Sequence, residues 1–476
     1  MPTLTSLARV REELARHDAA GALQPCLLRD LVVGSDALDR LPDVVRSCTP
    51  ALSSPYIVLL VDETRIVRGE RDVKEWARQL LAPVGVVRTV VLSDGHSELH
   101  VTDDVVQQAI SGSTDAEVLV ALGGGTISDI AKLVAQARPG IPLVTVMTAA
   151  SVDGYTDDVS VTLKDGVKRT VPSVWPTVVL ADAQTVAQAP ARMNRAGYGE
   201  MTSMYVAPAD WRLACLLGID PSYHPAPVHL LSQLSAPLDA CASGVAEGDP
   251  DAVEELTWAL ALRGIVTGVA GTTASLSGVE HLVSHMLDLR AAELGLPTGL
   301  HGEQVGVGSV IAACAWELLA DRLAANPHAR VTDAALDADA ARARVESAFL
   351  SLDPTGRIGA ECWRDYARKL QAITAQRALI DDILATWSAH EPELRGLARP
   401  SAVIARGLRS AGASATFADL EPEVSADVAR WVVAHCALMR NRFTVVDLLT
   451  ILGWWEDDDV TEVLARVEQA VGAVTA

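Results

Sequence analysis

The sequence predicts an α/β protein with two domains, a doubly wound parallel sheet followed by an all-helical part. Two patterns predict this fold class. Between residues 55 and 182, short β-branched runs alternate with helical stretches, and after about residue 193 these runs stop and helical periodicity takes over. The length of 476 residues also exceeds that of a single small domain. We therefore divide the chain into residues 1–192 and 193–476.

Five apolar runs are predicted as strands: YIVLLV at 56–61, VVRTVVL at 86–92, EVLVAL at 117–122, IPLVTV at 141–146 and TVVLAD at 177–182. Most are apolar at nearly every position, as expected where helices cover both faces of a parallel sheet. The pattern is therefore Rossmann-like, and ligands of such sheets bind at the carboxyl edge. In the second part, Asp249 and Pro250 are predicted to cap and begin a long helix.

Composition excludes several classes of function. The 39 Lys and Arg against 61 Asp and Glu give a formal charge of −22, which repels nucleic acids and anionic lipid. The seven cysteines are scattered without a C-x-x-C pair, which is typical of reduced thiols in a cytoplasm. The N-terminal stretch lacks the apolar core of a signal peptide, and there is no apolar run of 18 residues. We predict a cytoplasmic protein that binds neither nucleic acid nor membrane.

A glycine triplet, Gly123, Gly124 and Gly125, ends one predicted strand and opens an amphipathic helix in ALGGGTISDIAKL. Glycine allows a pyrophosphate to approach the backbone, and the helix N-terminus offers free N–H groups and a positive dipole end. The turn predicts a dinucleotide or phosphorylated ligand, with a purely structural turn as the alternative. Asp62, at the end of the first strand, is a candidate for a cofactor ribose hydroxyl or, equally, a turn or capping residue.

Three histidines form a candidate metal site. His281 and His285 are four residues apart in SGVEHLVSHMLDL, hence on one helical face, and His301 follows in GLHGEQVGVGS. Converging imidazoles with one carboxylate suit zinc or another divalent transition metal. The neighbouring Gly278 and Gly302 permit close helix approach. The alternative is a chance pair of histidines at this spacing.

An irregular polar stretch follows the fourth predicted strand, TAASVDGYTDDVSV at 148–161 and KDGVKRTVP at 164–172. We expect Ser151 and Asp153 to face a ligand crevice, and Lys168 is a candidate cation there. The alternative is that the glycines of DGY and KDG simply form a hairpin.

Together these stretches resemble the glycerol-1-phosphate dehydrogenase branch of the superfamily that includes dehydroquinate synthase, glycerol dehydrogenase and iron-dependent alcohol dehydrogenases. Six motifs occur in the family's order over most of the chain: ALGGGTISDIAK, MTAASVDGY with GVKRTVP, RAGYGEMTSMYVAPADWRL, SGVEHLVSHML, LHGEQVGVG and RNRFTVVDLLTILG. The resemblance implies a dehydroquinate synthase-like fold, with nucleotide bound by residues 1–192 and metal and substrate by residues 193–476. It also implies NAD(H) or NADP(H) and one divalent metal, with zinc preferred over nickel or iron. We further expect a small-molecule substrate and a homo-oligomer.

Motif by motif, the resemblance implies a role for individual residues. His281 and His301 resemble metal ligands, and Glu200 stands where the family normally has a third, aspartate ligand. The predicted metal ligands are therefore Glu200, His281 and His301. The predicted cofactor-binding residues are Asp62, Gly123, Gly124, Gly125, Thr126, Asp129, Thr148 and Ser151, and the predicted catalytic residues are Asp153, His285 and Lys168.

The sequence departs from the family at the substrate's phosphate end. Met204 replaces a typical lysine, and Ala274 and Ser275 replace an Arg-Pro pair. A charged hydrogen bond to phosphate contributes about 1.5–3 kcal/mol, so we expect an altered phosphate pocket and weaker binding of a phosphorylated substrate.

The leading hypothesis is a metal-dependent NAD(P)H oxidoreductase that reduces a small, dihydroxyacetone phosphate-like ketone to a secondary alcohol. The first alternative is a dehydroquinate synthase-like lyase or cyclase that uses NAD catalytically on a sugar phosphate, which Glu200 favours because those enzymes use glutamate as this ligand. The second is a non-catalytic binding protein on the same fold, motivated by Met204 and Ala274.

Overall fold

The computed structural model describes residues 6–96, 98–164 and 167–475, without the side chains of residues 164, 167, 168, 474 and 475. The side chain of Lys168, a predicted catalytic residue, therefore lies outside the described residues. Contacts divide the chain into a first unit, Met1–Tyr198 with His229–Gly271, and a second unit, Gly199–Val228 with Thr272–Ala476.

The strands, in chain order, are β1 Asp30–Gly34, β2 Tyr56–Asp62, β3 Val67–Arg68, β4 Arg71–Asp72, β5 Val86–Leu92, β6 Val118–Gly123, β7 Leu143–Met147, β8 Val159–Lys164, β9 Val167–Pro172 and β10 Val178–Asp182. The α-helices are α1 Leu7–His17, α2 Leu41–Cys48, α3 Val73–Leu81, α4 Asp103–Gly112, α5 Gly125–Ala137, α6 Ala183–Ala187, α7 Ala191–Met201, α8 Ala207–Leu216, α9 Pro225–Ser232, α10 Ser235–Glu247, α11 Pro250–Ala270, α12 Val279–Leu294, α13 His301–Ala325, α14 Ala338–Ala348, α15 Arg357–Ala375, α16 Arg377–Ala385, α17 Trp387–Leu397, α18 Ser401–Ser410, α19 Ala426–His435, α20 Val445–Ile451 and α21 Asp457–Thr475. Short 3₁₀ turns occupy Ala37–Arg40, Thr202–Tyr205, Thr273–Ser275, Ala334–Leu336, Phe417–Asp419 and Cys436–Met439.

The core of the first unit is a six-stranded sheet in the order β1-β10-β7-β6-β2-β5, with all neighbouring pairs parallel. Alternate β2 residues enter opposite clusters: Leu59 packs with residues of α2 and α3, and Leu60 with residues of α4 and α5. Both faces are thus covered, and the predicted doubly wound fold is confirmed. Each of the five predicted runs forms a strand, whereas β1 was not predicted because DLVVG is a short run after a loop.

The strand order reverses between β2 and β6. From β2 the chain proceeds outward to β5, whereas from β6 it proceeds in the other direction to β7. A crevice at the carboxyl ends of the strands forms where such an order reverses, and it is where ligands of open α/β sheets bind. The register pairs Leu60 with Ala121, so Asp62 and Gly123 end their strands side by side at this point.

In the first unit the sheet is joined by α10 and α11, although the predicted boundary between residues 192 and 193 assigns them to the helical part. Helical periodicity alone does not show which neighbour a helix packs on; here α11 packs on α6 and β1. The predicted start of α11 is confirmed, because the helix begins at Pro250 and the Asp249 side chain accepts a hydrogen bond from Asp251 N.

Within the described residues, the second unit consists of helices and 3₁₀ turns and contains no strand, which confirms its predicted all-helical character. At its centre, the consecutive helices α12 and α13 pack extensively against each other. A Cβ added at Gly308 of α13 would lie 2.7 Å from Glu280 Cα of α12, so the two backbones are in direct contact. Among the helices described, none combines the length and apolarity needed to cross a bilayer.

Candidate functional site

Three predicted metal ligands come together in the second unit. Glu200, His281 and His301 each offer one ligand atom, and these atoms lie within 4.8 Å of one another. His281 Nε2 is 3.4 Å from Glu200 Oε1, and His301 Nε2 is 3.6 Å from Glu200 Oε2. Glu200 is almost completely buried, so its charge requires compensation by neighbouring cations.

The donor set fits a divalent metal. Bonds of about 2.1 Å at tetrahedral angles place two ligand atoms about 3.4 Å apart, close to both observed separations. Two imidazole nitrogens and one carboxylate are the three-ligand set of an open, catalytic type of site, in which a fourth position remains for water or substrate.

Backbone contact between helices brings these ligands into register. A Cβ added at Gly199 of α7 would collide with the carbonyl oxygen of Gly302 and lie 3.1 Å from its carbonyl carbon. One turn later in α13, the Cα of Gly306 is 3.5 Å from the same added Cβ of Gly199. The two helices can approach this closely because the contacting residues are glycines. Glu200 directly follows Gly199 and His301 directly precedes Gly302, so the contact brings these two ligands together.

Hydrogen bonds fix both imidazoles with Nε2 toward Glu200. Glu280 Oε1 lies 2.9 Å from His281 Nδ1 and also accepts from Gly278 N at 2.6 Å. Ser284 donates its single hydroxyl proton to Gln304 Oε1, so it accepts from His301 Nδ1 at 2.9 Å. In both rings Nε2 is then available as a metal ligand, and such partners typically hold the tautomer and orientation of metal-binding histidines.

His285 is adjacent to this cluster without joining it. Its ring centroid is 6.2 Å from those of both His281 and His301. The pKa of His285 lies well below its usual value. Burial is the main cause, and the positive charges of the nearby histidines, Arg440 and Arg442 add to it. The predicted catalytic imidazole is thus neutral at physiological pH and can either donate or accept a hydrogen bond.

The glycine triplet of the first unit fits a phosphate-bearing cofactor. Gly124 precedes α5 as its N-cap without a side-chain cap, and no atom lies within 4 Å of a Cβ added there. A Cβ added at Gly123 would lie 2.7 Å from the Ile127 side chain, and one added at Gly125 would lie 2.7 Å from the Val152 side chain. These two glycines are therefore required for packing. The middle glycine and the first turn of α5, which contains partly exposed Thr126, form an open cradle of N–H groups.

The two predicted cofactor carboxylates are both engaged by lysines. Asp62 accepts from Thr64 N at 3.1 Å and pairs with Lys74 Nζ at 2.8 Å, which is the turn role considered as its alternative. Asp129 lies 3.2 Å from Lys132 Nζ and accepts from Val161 N at the base of the β8–β9 hairpin. Asp62 remains at the edge where the strand order reverses, whereas Asp129 supports the hairpin.

The segment after β7 carries the remaining predicted residues of the first unit. Thr148 and Ser151 are buried, and Asn194 Oδ1 accepts from Ala150 N at 3.0 Å. Asp153 is ion-paired to Arg263 of α11. Strands β8 and β9 pair as an antiparallel hairpin, the alternative proposed for that stretch, and Asp165 and Gly166 of the KDG sequence lie outside the described residues.

Sequence reasoning missed two charged groups of the second unit, the buried Asp210 and the partly buried Arg442. Asp210 accepts from Val279 N, Val445 N and Trp316 Nε1, and burial, reinforced by Glu280, raises its pKa to about 8. Arg442 donates to Ser277 O and, at 2.7 Å, to Thr273 Oγ1. Both residues lie within motifs that carry the family resemblance, Asp210 in VAPADWRL and Arg442 in RNRFTVVDLL.

Comparison with known proteins extends these findings. Residues 32–190 match the family model of iron-containing alcohol dehydrogenase. The chain is 31% identical over 310 residues to a glycerol-1-phosphate dehydrogenase [NAD(P)+] of Bacillus licheniformis, covering 64% of this chain and 74% of that protein. It is 30% identical to the enzyme of the same name from Pyrococcus furiosus, covering 60% and 78%.

Two solved structures show the same fold at low identity. A probable glycerol dehydrogenase from Sinorhizobium meliloti 1021 aligns with a TM-score of 0.56 at 16% identity, covering 94% of this chain and 98% of that one. A maleylacetate reductase from Agrobacterium tumefaciens aligns with a TM-score of 0.57 at 18% identity and the same coverages.

Fold, donor cluster and relatives define the class as NAD(P)-dependent, metal-containing alcohol dehydrogenases. Within that class, the chain belongs to the superfamily of iron-containing alcohol dehydrogenases and dehydroquinate synthases, in its glycerol-1-phosphate dehydrogenase branch. The predicted family and class of enzyme are thereby confirmed. NAD(P) and a divalent metal are the cofactors expected of a member.

Proposed function

We propose that this protein uses NAD(P)H to reduce a small phosphorylated ketone of the dihydroxyacetone phosphate type to a secondary alcohol. The observation that carries the proposal is the cluster of Glu200, His281 and His301, with neutral His285 beside it. The relatives named glycerol-1-phosphate dehydrogenase support the substrate class.

Glu200, His281 and His301 would hold the metal, which we propose to be zinc because two imidazoles and one carboxylate suit it. When bound, the metal supplies Lewis acidity at the ketone oxygen, and the reduced nicotinamide supplies the hydride. The residues of this chain position the substrate and move protons. Because His285 is neutral, its imidazole can hydrogen-bond a substrate hydroxyl or pass on the proton that the new alcohol oxygen needs. The catalytic role of Asp153, whose carboxylate is ion-paired with Arg263, remains a prediction.

The phosphate end is where this chain departs from its family, and Arg442 offers a replacement cation. Arg442 bonds both ends of the 273–277 segment, in which Ala274 and Ser275 replace the family's Arg-Pro, and it lines a small cavity with Ala274. Its charge and that of Arg440 also act on His285. We propose that these arginines compensate for the cations lost at Met204 and Ala274.

The test compares dihydroxyacetone phosphate with dihydroxyacetone by nicotinamide absorbance, using zinc-loaded protein. We expect turnover of the phosphorylated ketone, and its loss in Glu200→Ala and His281→Ala with the fold retained. In Arg442→Met, the KM for dihydroxyacetone phosphate should rise by roughly tenfold to one-hundredfold, while that for dihydroxyacetone stays unchanged. Arg364→Met, an exposed arginine of α15, is the control for net charge. Equal KM changes for both ketones would show that Arg442 only supports the fold.

The dehydroquinate synthase-like alternative keeps one supporting observation, the glutamate at position 200. A lyase or cyclase returns its cofactor in every cycle, so it predicts no net change in nicotinamide absorbance during turnover. Retention of all three metal donors disfavours the non-catalytic alternative. The cytoplasmic location and the homo-oligomer remain predictions.

A further inference from the structure

A second cluster of metal-binding side chains lies in the first unit, remote in sequence from the motifs considered above. Glu13, His17 and His229 offer ligand atoms that all lie within 4.8 Å of one another. Glu13 and His17 are one turn apart on α1, and His229 lies in the last turn of α9. We propose that these three residues bind a divalent late transition metal such as zinc, cobalt or nickel.

The arrangement of the side chains supports this assignment. His17 Nε2 is 3.8 Å from Glu13 Oε2, and the rings of His17 and His229 lie 4.0 Å apart with an interplanar angle of 38°. The protein has only 11 histidines, and two of them meet here beside a carboxylate.

Neighbouring groups restrain the cluster without closing it. Arg16 donates to Glu13 Oε1 at 2.6 Å, which leaves Oε2 on the side of His17. Gln233 Nε2 lies 3.2 Å from His229 Nε2 and restrains that ring. The side chain of His17 is 37% exposed, so it can adjust the few tenths of an ångström to about one ångström needed for metal–ligand bonds of about 2.1 Å.

A metal at this position would join α1 to α9. Helix α1 buries a narrow apolar stripe of Leu7, Val10 and Leu14, and its Arg11 donates a hydrogen bond to Leu28 O. A coordinate bond at its C-terminal turn would reduce fraying of the helix, and the metal would thus act as a clamp. The three ligands leave coordination positions for water, so the ion should exchange more readily than one in a closed four-ligand site.

Metal stoichiometry tests the proposal independently of enzyme activity. Chelator-stripped protein is dialysed against zinc, and bound metal is counted for the wild type, for His281→Ala/His301→Ala and for His17→Ala/His229→Ala. We expect two, one and one equivalents. His96→Ala, which alters another pair of histidines, exposed His96 and partly buried His100, beside Asp94, should still bind two.

Each outcome decides the question. The second site is supported if His281→Ala/His301→Ala still binds one equivalent of metal and the triple variant that also carries His17→Ala binds none. This result does not depend on whether the proposed catalytic site binds metal. If that double variant binds no metal, or if His17→Ala/His229→Ala still binds as much as the wild type, the proposal is overturned. Zinc should also slow amide hydrogen exchange in residues 7–17 of the wild type but not of His17→Ala; equal exchange in both would overturn the proposed clamp.

Discussion

The contact between Gly199 and Gly302 makes the metal centre sensitive to a single methyl group. In Gly199→Ala the new Cβ would lie 3.1 Å from the carbonyl carbon of Gly302 and closer still to its oxygen. Non-bonded carbon atoms prefer about 3.5–4.0 Å, so α7 must move from α13 by at least about 0.5 Å. Metal–ligand distances vary by only about 0.2 Å in good sites. Because Glu200 is the next residue, the substitution should separate it from His281 and His301.

We expect Gly199→Ala to fold, to lose about 1–3 kcal/mol of stability through overpacking, and to bind zinc about 10- to 100-fold more weakly. Zinc affinity is measured by chelator competition, and stability by urea unfolding with and without zinc. The control is Gly396→Ala near the end of α17, where no atom lies within 4 Å of the added Cβ and the helix should be slightly stabilised. Wild-type zinc affinity in Gly199→Ala would refute the argument that backbone contact sets the ligand geometry.

Three further predictions follow from other contacts. Gly124→Ala should fold without a steric clash but raise the KM for NADH and NADPH by roughly tenfold, because the added methyl group enters the open cradle; an unchanged KM would place the pyrophosphate elsewhere. Lys369→Met should cost about 3–5 kcal/mol in urea unfolding, since it leaves buried Asp447 without the ammonium now 2.6 Å away; a loss below about 1 kcal/mol would contradict this. Burial raises the pKa of Asp210 to about 8 in the folded protein, compared with about 4 in the unfolded chain. Between about pH 4 and pH 8 the folded state therefore binds up to one more proton than the unfolded state. The free energy of unfolding should then fall by up to about 1.4 kcal/mol per pH unit as the pH rises through this range. Asp210→Asn should reduce this slope between pH 5 and 8, and an unchanged slope would show that Asp210 titrates normally.

Much of the first unit could be predicted from sequence because the central strands of its sheet, β2, β6, β7 and β10, are buried on both faces. Such strands are recognisable as continuous apolar runs, as in YIVLLV, without knowledge of their neighbours. The glycine triplet was equally visible, but only the structure separates the open Gly124 from Gly123 and Gly125, which pack against side chains. The division of the chain was harder, because α10 and α11 have the same periodicity wherever they pack.

Charged partnerships in the interior depend on residues far apart in the chain. Arg263 and Asp153 are paired, although spacing gives no indication of it; an arginine within the apolar stretch ALALRGIVTGVAG was the available signal. Arg442 likewise contacts Thr273 only because the fold brings the two segments together. Spacing had already suggested His281 and His301 as metal ligands, whereas only the family motif connected Glu200 with them.

A ligand geometry fixed by main-chain contact tolerates changes in the side chains around it. Met204 and Ala274 are the positions where the sequence departs from the family at the predicted phosphate end, and neither lies in the crossing formed by Gly199, Gly302 and Gly306. The side chains at positions 204 and 274 can therefore be varied without disturbing this backbone contact. Libraries randomised at positions 204 and 274 should explore new ketones while every member keeps its metal, provided that the three glycines are left untouched.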